Sequence, residues 1–154
     1  MKLFLMAFIL FISTSAFSQI SNFKMMVGSS EFQIKKDISG FNSTKELYSE
    51  GGKTIIYSFR DFDVMYAIKA NKVCSKVWII FHSSTYSSQM DKWFYDNEYN
   101  AKKNVNSGEY EWSKTIITKS KKTGKQNNEI LVTALKLDET TYFFADKLAT
   151  LLGY

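Results

Sequence analysis

The order of patterned segments predicts an α+β fold: an antiparallel sheet of about six or seven strands with two helices packed on one face. Three observations carry this. One segment combines a capping box with helical spacing, several period-two segments are separated by tight-turn residues, and strands and helices do not alternate as a parallel sheet would require.

Taken in chain order, Lys2 precedes an unbroken apolar run from Leu3 to Ile12. Ala16-Phe17-Ser18 then sets small residues at the positions a signal peptidase reads, so residues 1–18 are expected to be a cleaved signal and 19–154 one exported α+β domain beginning at Gln19. The run is about half of the ~20 residues that a membrane-spanning helix needs, and no cysteine at the cleavage site suggests a lipoprotein. The expected location is secreted or periplasmic. The lone cysteine, Cys74, cannot form an internal disulfide, so stability must come from packing, and 13 Phe, 9 Tyr and 3 Trp supply it. A net charge of +5 speaks to solubility more than to any partner class.

Ser30-Glu31-Phe32-Gln33 has the form of a capping box, and Ile34, Ile38 and Phe41 follow on one helical face. This predicts a helix from about Ser30 to Ser39. Glu50-Gly51-Gly52-Lys53 marks a hairpin, because glycine tolerates the positive φ of tight turns. A two-residue loop at Asn71-Lys72 sets Phe62 opposite Phe81, Val64 opposite Ile79 and Tyr66 opposite Val77. A loop at Arg60-Asp61 sets Tyr57 opposite Val64 and Ile55 opposite Tyr66. Every large side chain of that face is apolar or amphipathic, and a slip of one residue would mix the faces.

Ser84 is expected to cap a second helix carrying Tyr86, Met90, Trp93, Phe94 and Asn97, ending before Lys102-Lys103. Strands over Tyr110 to Thr118, Glu129 to Leu137 and Thr141 to Asp146 complete the sheet, the last two joined by Asp138-Glu139.

Few residues suggest catalysis. Cys74 and His82 lie eight residues apart on one predicted strand, about 26 Å at ~3.3 Å per residue, whereas a nucleophile–base pair needs ~3 Å. Cys74 is expected to be a half-buried structural thiol and His82 a boundary residue. His82-Ser83-Ser84 lacks a G-x-S-x-G frame. One histidine and one cysteine are too few for an ordinary zinc site, and no calcium or phosphate-binding loop occurs. Glu109 and Glu111 share one strand face, where solvated carboxylates are ordinary. No cofactor is expected.

Two features remain as binding candidates. Lys119, Lys121, Lys122 and Lys125 surround Gly124 in a basic loop, suited to weak contact with an anionic polymer. Met65 opposite Trp78, with Ile80 opposite Asp63, lies on the far face of the core hairpin, which helices cover or which meets a partner.

The leader from Met1 to Gln19, the capped helix from Ser30 to Phe41, the strands from Thr54 to Phe81 and the aromatic helix from Tyr86 to Tyr99 resemble small secreted proteins of Bacteroidota. The helix-then-sheet order is also similar to β-lactamase-inhibitor-protein-like modules, without their paired cysteines or a Gly-x-Pro after the first helix. The resemblance implies a binding or envelope-associated role. The expected function is therefore a non-enzymatic exported domain that binds a protein or envelope polymer, without specific nucleic-acid recognition or a membrane span. The alternative is a secreted hydrolase with a carboxylate- or serine-based site.

Overall fold

The computed structural model describes residues 20–103, 110–119 and 126–146, with 118–119 and 126–128 described by their backbone alone. The expected leader, Gln19, Glu109, and Lys121, Lys122 and Lys125 of the basic loop lie outside the described residues.

A 3-10 turn at Ile20–Asn22 leads through an irregular segment, with a turn at Val27-Gly28, to α1, Glu31–Asp37. Its start follows from the capping residue: Ser30 is extended (φ −73°, ψ 154°) and its side chain accepts from the Gln33 amide at 3.2 Å. Ile34 and Ile38 are buried, whereas Phe32 on the opposite side is exposed.

The chain then forms a four-strand meander: β1 Ser43–Ser49, β2 Gly52–Ser58, β3 Phe62–Lys69 and β4 Cys74–Phe81. Phe62 pairs with Phe81, Val64 with both Ile79 and Tyr57, and Tyr66 with both Val77 and Ile55. All of these side chains are buried, so the alternation of the sequence has selected the register. Near the β3–β4 turn the pairing departs from a two-residue loop. Lys69 N–H bonds Val73 O, Lys72 has φ 62°, and Ile68 pairs with Cys74. Ser75 is an extra residue that bulges out of β4 and restores the expected register beyond it. The bulge turns Cys74 into the core, where it is fully buried and not half-exposed.

After β4 comes a single helical turn, α2 Ser84–Ser87, followed by α3 Gln89–Asp96. The cap is Ser83, not Ser84: Ser83 is extended (φ −151°, ψ 143°) and accepts from Thr85 N–H at 3.3 Å. These helices carry the chain from the middle of the sheet to its far edge. There a second meander runs back: β5 Asn100–Lys103, β6 Tyr110–Lys119, β7 Gln126–Lys136 and β8 Thr141–Asp146. The result is one antiparallel sheet ordered β1-β2-β3-β4-β8-β7-β6-β5, with β4 and β8 paired at its centre.

Among the described residues the sheet thus has eight strands, not six or seven. The extra strand is β5, whose Asn-Ala-Lys-Lys sequence is exposed throughout and shows no apolar alternation. It forms because Glu98 (φ 58°) turns the chain sharply after α3 and lays the next residues against the start of β6.

One face of the sheet forms the core. Ile55, Tyr66, Val77, Phe144 and Ala134 are successive cross-strand neighbours, and all are buried. Ile34 and Ile38 of the α1 segment, and Met90, Trp93 and Phe94 of α3, join the same buried cluster. Phe94 stacks on Trp112 with centroids 4.4 Å apart and contacts Phe144 and Tyr142. Full burial of such a ring contributes about 1.5–3 kcal/mol. Two buried tyrosines satisfy their hydroxyls on backbone: Tyr66 donates to Lys24 O at 2.8 Å and Tyr142 to Ser87 O at 3.3 Å. No helix among the described residues is long and apolar enough to cross a membrane.

Candidate functional site

The opposite, outer face carries the apolar residues singled out in the sequence. Met65 pairs with Trp78, and Asp63 with Ile80. Trp78 also faces Phe143 on β8, their rings 5.1 Å apart and tilted by 41°. A single cross-strand row therefore spans the sheet: Lys45, Ile56, Met65, Trp78, Phe143, Leu135, Glu111 and Lys102. Its five central members are apolar and half-buried, and its ends are charged.

The row stays partly exposed because every ring contact between α3 and the sheet is made on the other face. Period-two strands must present alternate residues to both sides, so a sheet with helices on one face leaves the other without them. Sequence reasoning found Met65, Trp78 and Ile80. It missed Phe143 and Leu135, because their strands had not been placed beside β4, and it passed over Ile56, although the β2–β3 register already set Ile56 opposite Met65. The alternation in Tyr142-Phe143-Phe144 is the available signal, but both positions of that pair are phenylalanine.

The residues with potential chemistry are kept apart. Cys74 begins β4 and His82 directly follows its last residue, Phe81. Burial pushes the Cys74 thiol up to about 12, and its sulfur donates to Lys76 O at 3.4 Å. His82 sits at the surface, with Nε2 3.3 Å from Asp63 Oδ2 and Nδ1 3.1 Å from Arg60 O. Asp61 is buried, and Arg60 Nε donates to its carboxylate at 3.1 Å. Glu111 lies on the outer face beside Lys102 and Leu135. Of the basic loop, Lys119 is placed as the last residue of β6, opposite Gln126.

No protein-family model, curated protein or solved structure matches the chain. The reading of the site thus rests on its own geometry. Among the described residues, no three His, Cys, Asp or Glu side chains group as metal ligands. Asp138 and Glu139 share a surface cavity at the β7–β8 turn with Tyr110, Trp112, Lys136 and Leu137. Asp138 there accepts from Thr140 N–H and Thr141 N–H, each at 2.8 Å, and these bonds hold its carboxyl below the usual range. It is serving the turn as a local cap.

Proposed function

We propose that this chain is an exported, non-enzymatic binding domain that meets a protein partner through the outer face of its sheet. The observation that carries the reading is the half-buried Met65-Trp78-Phe143 cluster at the centre of that face. Aromatic and methionine side chains concentrate binding energy at the centre of protein interfaces, and contiguous exposed apolar surface marks such sites. The charges specify the partner further. Lys45 and Lys102 end the apolar row, and Lys76 lies on the same face. Of the carboxylates on that face, Asp63 already meets His82, and Glu111 is the cross-strand neighbour of Lys102, which leaves Lys45 and Lys76 as the cations for a partner. The complementary surface is apolar at its centre and rimmed by carboxylates.

The test begins with recovery of partners from the native envelope by the tagged mature domain. Affinity for each purified partner is then measured with wild type, Trp78→Glu and, as a control, Tyr48→Glu, which alters an exposed aromatic on β1. Loss of tenfold or more in affinity with Trp78→Glu alone supports the face as the site. Equal affinity for all three proteins overturns it. The intact mass of exported material tests the leader, with a chain beginning at Gln19 expected.

A further inference from the structure

The two edges of the sheet differ in how they are protected. β1 carries Lys45 and Glu46, and Glu46 is tied to Lys35 and Lys53. Charge on an edge strand discourages pairing with other chains. At the other edge, β5 covers only Tyr110–Ser113 of β6, which runs on to Lys119. Beyond Ser113, β6 has β7 on one side and, among the described residues, no strand on the other. The open stretch is Thr115-Ile116-Ile117-Thr118, uncharged and entirely β-branched.

Backbone alternation shows which groups are left over. Phe81 N–H bonds Thr140 O, and Leu137 N–H bonds Thr141 O. Carried along β7 and across its regular register with β6, this pattern turns Lys114 and Ile116 toward β7. Thr115 and Ile117 therefore direct their N–H and C=O groups outward, and the Ile117 side chain is half exposed.

These groups border a cavity of about 570 Å³. One wall is Lys114–Ile117. The other is the segment Phe23–Met26, and Trp93, Asn97 and Tyr99 complete the lining. No backbone hydrogen bond joins the two walls among the described residues.

We propose that this slot takes an added β-strand: an extended, acidic segment of a partner polypeptide pairs with Thr115 and Ile117. Its alternate apolar side chains drop toward Phe23, Trp93 and Ile116. Main-chain bonds to an open edge, with a pocket for every second side chain, are the recognised mode of strand addition. Charge selects the occupant. Among the described residues, the charged side chains lining the slot are Lys24, which donates to Asp37 O at 2.9 Å, and Lys114, which donates to Asn97 O at 2.7 Å; no carboxylate lines it. Lys114 is 3.7 Å from Glu98, a largely solvent-exposed side chain at the rim. A second copy of the chain fits poorly. Antiparallel pairing of two β6 edges would bring Lys114 of each copy toward the Lys119 end of the other.

The test is titration of the mature domain with a blocked seven-residue peptide of alternating Val and Thr with Glu at both ends. Amide hydrogen exchange and tryptophan fluorescence report binding. The expected result is protection of the Thr115 and Ile117 amides, with a Kd between micromolar and millimolar. Affinity falls at least tenfold for a peptide N-methylated at alternate residues, which keeps charge and side chains but loses pairing. Lys24→Gln weakens binding and its salt dependence, whereas Trp78→Glu on the outer face changes neither. No binding at millimolar peptide, or equal binding of the N-methylated peptide, overturns the proposal. So does protection of both amides before peptide is added. Dependence of that protection on protein concentration would assign the edge to a second copy, and independence to the chain itself.

Discussion

Lys35 of α1 donates to Glu46 of β1 across 2.6 Å, clamping the first helix to the outermost strand of the sheet. Glu46 also accepts from Lys53 at 2.8 Å and from the Tyr48 hydroxyl at 2.6 Å. Lys53 in turn bonds Glu31 at 2.6 Å. Four charges of alternating sign thus link α1, β1 and β2 beside the Phe41–Tyr57 ring contact.

This network sets a pH dependence. Lys35 first, then Lys53 and Tyr48, holds the Glu46 carboxyl down to about 2 from the usual 4.5. A carboxylate depressed on folding stabilises the fold fully above its unfolded pKa, and the contribution is lost as pH falls through the folded one. The Tm difference between wild type and Glu46→Gln is expected to be largest at neutral pH and to shrink between about pH 4.5 and 2. It also shrinks in high salt, because the groups are partly exposed. Thermal melts across pH measure it, and a difference that is constant with pH contradicts the assignment.

Gly52 is the position where the first hairpin tolerates no side chain. Its φ of 146° is unfavourable for other residues, and a Cβ built there falls 2.0 Å from Ile68 O. Backbone cannot move aside as a flexible side chain can. Gly52→Ala is expected to cost about 2 kcal/mol or more. Gly51 has open space around it, so Gly51→Ala serves as the matched control and is expected to change stability by less than about 1 kcal/mol. Denaturant unfolding of both variants compares them.

The faces of β3 can be separated by one residue. Val64 is fully buried between Tyr57 and Ile79, whereas Asp63 is half-buried on the outer face near His82. Val64→Asp places an unpaired charge in the core and is expected to cost about 3 kcal/mol or more. Asp63→Asn is expected to stay within about 0.5 kcal/mol at neutral pH. Comparable losses in the two variants would contradict the face assignment.

The β3–β4 hairpin also shows which parts of the fold were legible. Its register could be read because burying Phe62, Val64 and Tyr66 together admits no slip. The loop could not, since a three-residue turn at Ala70–Lys72 followed by the Ser75 bulge yields the same pairing beyond Ala67 as a two-residue turn. Apolar alternation reports the face of a strand, not how its turn is built. β5 was illegible for a related reason: an exposed four-residue edge has no face to bury and leaves no pattern. Trp78 and Met65 were found as a pair through their hairpin. Phe143 joined them only once β8 was seen beside β4, a contact between residues 65 apart in sequence.

Cys74 supplies the last prediction, and it concerns chemistry. Cys74 is buried opposite Ile68, next to the Ser75 bulge, and burial pushes the thiol up to about 12. The thiolate is the reactive form, so near pH 8 roughly one molecule in ten thousand would carry it even if reagent could reach the sulfur. Because a raised pKa favours the protonated thiol, its contribution to stability is complete below the unfolded value of 9 and fades as pH approaches 12. Alkylation of the native domain at pH 8 is expected to follow the rate of unfolding, remain incomplete over hours and become fast in denaturant. His82→Gln should leave that rate unchanged, because His82 lies just beyond the other end of β4. Rapid modification of the folded protein, slowed by His82→Gln, would mean that the strand bends enough to bring base and thiol together, and the separation that argues against a nucleophilic pair would be lost.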